Sequence, residues 1–243
     1  MDGVSKTVII KVGGSILCPN LTDTFNFPFA IEFREKILHP YISKGYKFVL
    51  TIGGGKLARR FQSRQKEFSV SNSYLHKTGI IATLMNAVCF QSIIPKIAHP
   101  QILSLNDYLH LFKFVNSKTF ENSGVLLSCG GYRQESSTDL NAVLVAMRLG
   151  VNKVISIKNI DGIYSDDPKI FKSARLIEKM NWNEYFEIIN NAKSHNPGDS
   201  WPIDPVAAKQ AMDNKMEFVV IGSDLENLKR VIDGGNFVGS VVK

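Results

Sequence analysis

A chain of 243 residues, 44% hydrophobic and 21% charged, has room for one large or two small domains around a sizeable core. No run approaches the ~20 apolar residues that span a bilayer. MDGVSKT carries no basic segment ahead of a signal-type apolar stretch, so a cytoplasmic protein without membrane partners is expected. The formal net charge of +7 is spread over scattered Lys and Arg, which argues against nucleic acid and suits a small anionic substrate.

Apolar runs and helical patterns alternate along the chain. TVIIKV (7–12) reads as a buried strand, 28–44 as a helix opening at Pro28 and ending before Gly45, and KFVLTI (47–52) as a second strand. Helices follow at 56–66, with a basic outer face, and at 79–94, stopped by Pro95. GVLLSC (124–129) is a strand, 137–150 a helix and KVISI (153–157) a strand. A helix at 204–214, a strand at 217–222, a helix at 225–235 and an edge strand in VGSVVK complete the pattern. The Asn-, Ser-, Pro- and Gly-rich stretch 191–203 reads as an active-site loop. Non-alternating apolar strands between helices imply a parallel sheet covered on both faces, with ligands beyond the strands' carboxyl ends. Cys18, Cys89 and Cys129 are widely spaced and read as small buried residues, not as a disulfide framework or zinc site.

Lys11 ends the first strand and is followed by Gly13-Gly14; Gly53-Gly54-Gly55 and Gly130-Gly131 follow two others. A buried lysine needs an anionic partner, and glycines let a backbone approach closely. Glycine clusters leading into helices aim N–H groups at phosphate oxygens. GxxxxGK[ST] is absent, so this is not a P-loop protein, and the absence of a strand-borne GxGxxG argues against a dinucleotide oxidoreductase.

KVGGSIL, GGGKLARRF, GIIATLMNA, STDLNAVLVA, NIDGIYSDDPK and PIDPVAAK, in this order, resemble the amino acid kinase superfamily, in particular its uridylate (UMP) kinase branch of archaeal type. The resemblance covers about residues 7–242. It implies a three-layer α/β/α sandwich around an open, mostly parallel sheet, forming one domain over 1–243. The N-terminal part would take the acceptor and phosphates, and roughly 150–243 the ATP. It also implies transfer of the ATP γ-phosphoryl group to UMP, with Mg²⁺, in pyrimidine nucleotide synthesis, and a homo-oligomer, dimer or hexamer. Phe25, Phe27, Phe29 and Phe33 are candidates for an interface or for the core.

By the same resemblance, Lys11 reaches the transferring phosphoryl group, Asp204 orients that lysine, and Asp139 lies near the transferred group, where it engages Mg²⁺ directly or through water. Gly13, Gly14, Gly55 and Arg59 would hold ATP phosphates. Lys158, Asn159, Tyr164 and Asp167 match positions around adenine and ribose. Gly54, Gly131 and Thr138 match the acceptor side. Ser137, Thr138 and Asp139 also suit the cap of the following helix. Lys209 is a candidate second positive charge or an ordinary surface lysine.

Two positions depart from the pattern. His76 stands where the branch has an aspartate on the acceptor's sugar, and Gln134-Glu135 replaces a Pro-Gly pair, with Arg133 beside it. These leave another small phosphate-bearing acceptor, or a non-catalytic nucleotide- or oxyanion-binding member, as alternatives.

Overall fold

The computed structural model describes residues 6–22, 24–103, 123–130, 137–168, 170–190 and 201–243. The apolar runs become β1 (Lys6–Val12), β2 (Tyr46–Ile52), β3 (Val125–Ser128) and β4 (Lys153–Ile157). A small antiparallel hairpin, β5 (Ile163–Tyr164) and β6 (Leu176–Ile177), leads to β7 (Lys179–Met180), β8 (Glu217–Ile221) and β9 (Ser240–Val242). The main sheet has seven strands in the order β3-β2-β1-β4-β8-β9-β7. β1 to β4 and β8 are mutually parallel, and β9 turns antiparallel to β8. The expected C-terminal edge strand is β9, one place in from the edge because two-residue β7 pairs outside it. At the other side, Ala98 and Leu103 bridge to β3.

Strand side chains alternate between two apolar layers, as the pleat requires. Ile10, Val12, Phe48, Leu50 and Ile52 pack with α1 (Gly14–Leu17), α2 (Phe27–Phe33), α3 (His39–Ile42) and α5 (Asn72–Ile93). α4 (Gly55–Glu67) lies against α5 and α1. Ile9, Val49, Leu126 and Val154 face α6 (Thr138–Arg148), α7 (Trp182–Ile188) and α8 (Pro205–Asp213). α9 (Leu225–Asp233) returns to the first layer through Leu225, Leu228 and Val231. The architecture is the sheet covered on both faces that the alternation implied, and the three-layer α/β/α sandwich that the resemblance implied.

Two helices differ from expectation for identifiable reasons. The helix expected over 28–44 is interrupted by a π-helical turn at Arg34–Leu38, in which the His39 N–H reaches the Arg34 carbonyl. Pro40 follows at once; it lacks an N–H and its ring crowds the preceding turn, and the widened turn carries the helix past it. The helix expected from Gly79 begins seven residues earlier, at Asn72. Gly79 is not a boundary but a contact point: a Cβ there would lie 2.8 Å from the Gln62 amide nitrogen. Phe25 and Phe33 are core residues, whereas Phe27 remains exposed.

Candidate active site

The first parallel strands end at one edge, and the side chains there share a level. Ser128, Thr51, Lys11 and Ser156 are register partners across β3, β2, β1 and β4. By alternation they point to the layer of α6 and α8, and all four are buried. Among the described residues, the Thr51 and Ser156 hydroxyls have no hydrogen-bond partner. Each of these four strands thus carries a polar residue at or just before its end, and together they floor the site with buried polar groups. This row is visible in KFVLTI, GVLLSC and KVISI once the register is known; no single strand announces it.

Above the floor lies a buried charge cluster. Asp139, at the second position of α6, pairs with the Lys11 ammonium (Nζ–Oδ1 3.1 Å) and the Lys158 ammonium (Nζ–Oδ2 3.0 Å). Lys158 also donates to the Trp201 carbonyl at 3.3 Å. Burial opposes the Asp139 charge, but the two lysines outweigh it and hold the carboxyl well below its ordinary value. Burial, reinforced by the Lys11 charge, lowers Lys158 to about 8 against the attraction of Asp139.

Asp204 caps α8 by accepting from the Ala207 N–H at 2.9 Å, and its own N–H points to Asp139 Oδ2 at 3.4 Å. Asp139 is thus a carboxylate paired with Lys11, the lysine that Asp204 was expected to orient. Tyr185 of α7, wholly buried, fixes the segment before it: its hydroxyl accepts from the Ile203 N–H at 2.7 Å and donates to the Ile203 carbonyl. Burial pushes the phenol far above its ordinary range, so it stays a donor. Ser137 caps α6 through the Leu140 N–H, as expected, which sets Thr138 and Asp139 in its first turn.

The two glycine loops after β1 and β2 interlock. A Cβ on Gly14 would lie 2.0 Å from the Gly55 nitrogen, and one on Gly53 would lie 2.4 Å from the Gly14 nitrogen. Gly55 adopts φ +67°, a conformation side chains disfavour. Part of the glycine requirement is thus mutual packing of the loops rather than room for phosphates. Arg59, exposed on α4, crosses the join to the Ser15 hydroxyl at 3.0 Å. Asn86 on α5 donates to the carbonyls of Gly53 (2.8 Å) and Gly54 (3.2 Å), and the Thr83 hydroxyl accepts from the Gly130 N–H at 2.6 Å. The two lie three residues apart on the inward face of GIIATLMNA, a helix period that could have marked them.

The remaining expected site residues spread along the same edge. Gly13 lies beside β4, where a Cβ would meet the Ile157 carbonyl at 2.6 Å. His76 lies in α5, one turn ahead of Gly79, whose carbonyl neighbours Gly54. Asn159 is exposed beyond β4, Tyr164 is half-buried in β5, and Asp167 is exposed in the turn after it. Lys158, expected with them, lies in the charge cluster. Lys209 is on the exposed face of α8, paired with Asp213. Gly131 and the 132–136 loop lie outside the described residues.

For a divalent metal, the described residues include no group of three or more His, Cys, Asp or Glu side chains able to hold one. Both Asp139 oxygens face lysines, which does not fit a direct metal ligand.

A parallel sheet that gathers glycine loops, capped helix starts and paired lysines at its carboxyl edge defines an α/β protein built to hold phosphate-like anions. The chain belongs to the amino acid kinase family, whose model matches residues 6–222. It is 30% identical to a uridylate kinase of Hyperthermus butylicus, over 97% of both chains. Its fold is similar to the crystal structure of uridylate kinase from Archaeoglobus fulgidus, with TM-score 0.77 and 27% identity over 98% of this chain and 100% of that one. The UMP kinase of Bacillus anthracis has the same fold, with TM-score 0.81 and 20% identity over 98% and 96% of the two chains. Among the described residues no helix is long and apolar enough to cross a membrane.

Proposed function

We propose that this chain is a uridylate kinase, transferring the γ-phosphoryl group of ATP to UMP to give UDP and ADP, in the cytoplasm and within pyrimidine nucleotide synthesis. The observation that carries the reading is the buried Lys11–Asp139 pair beside the glycine loops; the near full-length likeness to uridylate kinases names the acceptor. Phosphoryl transfer asks mainly for positioning and charge stabilisation. A UMP phosphate oxygen attacks the γ-phosphorus as the bond to the ADP oxygen breaks, with no covalent enzyme intermediate. Lys11 neutralises charge on the transferring group, and Asp139 and Asp204 hold the lysine end of the site in place. Gly13, Gly14, Gly55 and Arg59 receive ATP phosphates, and Asn159, Tyr164 and Asp167 its nucleoside, on the side formed by roughly 150–243. Gly54, His76, Gly131 and Thr138 serve the acceptor. Among the described residues none forms a cage for Mg²⁺; bound to the ATP phosphates, it would supply further charge neutralisation beside Lys11.

A homo-oligomer is part of the same reading. Ile81, Leu84, Met85 and Val88 form one exposed apolar stripe on α5, at the spacing of a single helix face, and a second copy of the chain would cover it.

The test is ADP release from ATP with UMP, CMP, AMP and small phosphomonoesters as acceptors. Turnover on UMP at least about tenfold above the rest, lost in Lys11→Ala, is expected. Binding of ATP without turnover on any acceptor would refute a kinase role.

A further inference from the structure

Lys158 has no role in the reading above. It follows Ile157 at the end of β4, and strand alternation turns it, with Val154 and Ser156, to the same side as Lys11. Its backbone N–H is fixed by the Ile221 carbonyl at 2.8 Å, so the side chain starts from a rigid point at the middle of the sheet. Its ammonium and that of Lys11 share the two oxygens of one carboxylate. Among the described residues, the Lys158 ammonium has two partners, Asp139 and the Trp201 carbonyl, for three N–H donors.

A second buried lysine beside Lys11 is costly unless something repays the crowding. Asp139 already has Lys11, and like charges close together in a poorly solvated site repel. Among the described residues, the charged groups acting on Lys158 are Lys11 on β1 and Asp139 on α6; Asp204, at the start of α8, meets Asp139 through its backbone N–H, and Tyr185 on α7 is neutral. Asp204 uses one oxygen to cap α8. An incoming multiply charged anion, spanning both ammonium groups, would satisfy the open donors and relieve the repulsion. Lys209, the other candidate for a second cation, is exposed and paired elsewhere.

We propose that Lys158 is a second catalytic cation, whose ammonium, held by Asp139 and the Trp201 carbonyl, contacts the γ-phosphoryl group of ATP together with Lys11. This rests on the kinase reading. Lys158 stays protonated throughout: it stabilises charge on the phosphoryl oxygens while the bond to UMP forms and the bond to ADP breaks, and no proton is exchanged. Asp139 then acts as a positioning residue, aligning both ammonium groups.

The test compares calorimetric affinities for ATP and ADP, which differ only by the γ-phosphate, alongside steady-state kinetics. Lys158→Met is expected to weaken ATP about tenfold, leave ADP unchanged, and lower kcat on UMP about 10²-fold or more with little change in KM for UMP. Equal weakening of ATP and ADP would place Lys158 at the nucleoside and overturn the proposal. An unchanged ATP-to-ADP ratio would reduce it to a structural ion pair and also overturn it. Should the Met variant not fold, the wild type is measured between pH 7.5 and 9.5. Its preference for ATP over ADP should decline across this range, and Lys158→Arg, which keeps its charge, should not. A preference that is flat in the wild type, or declines equally in both proteins, refutes the proposal. Lack of UMP phosphorylation by the wild type would instead refute the kinase reading, since the affinity ratio reads Lys158 without any acceptor.

Discussion

Replacing Asp139 by Asn tests the charge cluster most directly. Asp139 is 6% exposed and is the carboxylate shared by Lys11 at 3.1 Å and Lys158 at 3.0 Å. An amide keeps the shape and one acceptor oxygen but removes the charge both lysines face. Breaking a buried pair by removing one partner costs about 3–5 kcal/mol, a large share of the roughly 5–15 kcal/mol that holds a domain together. For a chain of this size that is a fall in Tm of about 6–20 °C at pH 7. The sign with pH follows from the lysines. Lys158 already titrates at about 8 in the folded protein, below its ordinary 10.5. Between those values the unfolded chain binds more protons, so stability rises with pH. Without Asp139 the folded value lies lower still, and the variant sheds its charge repulsion earlier. The gap between wild type and variant should therefore narrow from pH 7 to pH 9. It should also narrow in acid: the Asp139 contribution is full above its ordinary carboxyl value of about 4 and is lost as pH falls below it. Urea unfolding at pH 3, 7 and 9 reads all three points. A penalty under about 1 kcal/mol at pH 7, or one that grows toward pH 9, would refute the account.

Gly14→Ala should cost more than about 3 kcal/mol in urea unfolding, because its Cβ meets the Gly55 backbone at 2.0 Å. Gly45→Ala, at φ +82° with open space around it, should cost only about 1 kcal/mol; equal penalties would show that the loops are not interlocked. His76→Asp should lower KM for UMP in the coupled assay, by restoring a carboxylate acceptor beside the Gly54 loop; an unchanged or raised KM would remove His76 from the acceptor site. In sedimentation, the wild type should exceed its 27.1 kDa monomer mass, and Leu84→Glu with Met85→Glu should return it to monomer. Persistence of the larger species would place the interface elsewhere.

The strands were legible in the sequence because parallel strands buried on both faces read as unbroken apolar runs, and the sheet contains each of them. The helix from Asn72 was harder: Gly79 reads locally as a boundary, and only its contact with Gln62 across α4 explains a glycine inside a helix. Lys11 and Asp139 stood out as charges at the ends of apolar segments. Lys158 did not, because its place depends on β4 lying next to β1, a pairing of residues nearly 150 positions apart. By resemblance, the neighbouring motif NIDGIYSDDP assigns it to the nucleoside. The polar row of Ser128, Thr51 and Ser156 was hidden for the same reason: each is one small polar residue until the register aligns them.

The interlocked glycines have a bearing on how such a protein can change. Where Gly14, Gly53 and Gly55 meet, no side chain intervenes, so the spacing of the two loops depends on backbone atoms without rotamers to adjust. The two loops therefore move as one body, and the separation of groups held by them is inherited from the sheet. Substitutions on α5, where His76 lies, can then alter what the site accepts without resetting the spacing of the two loops.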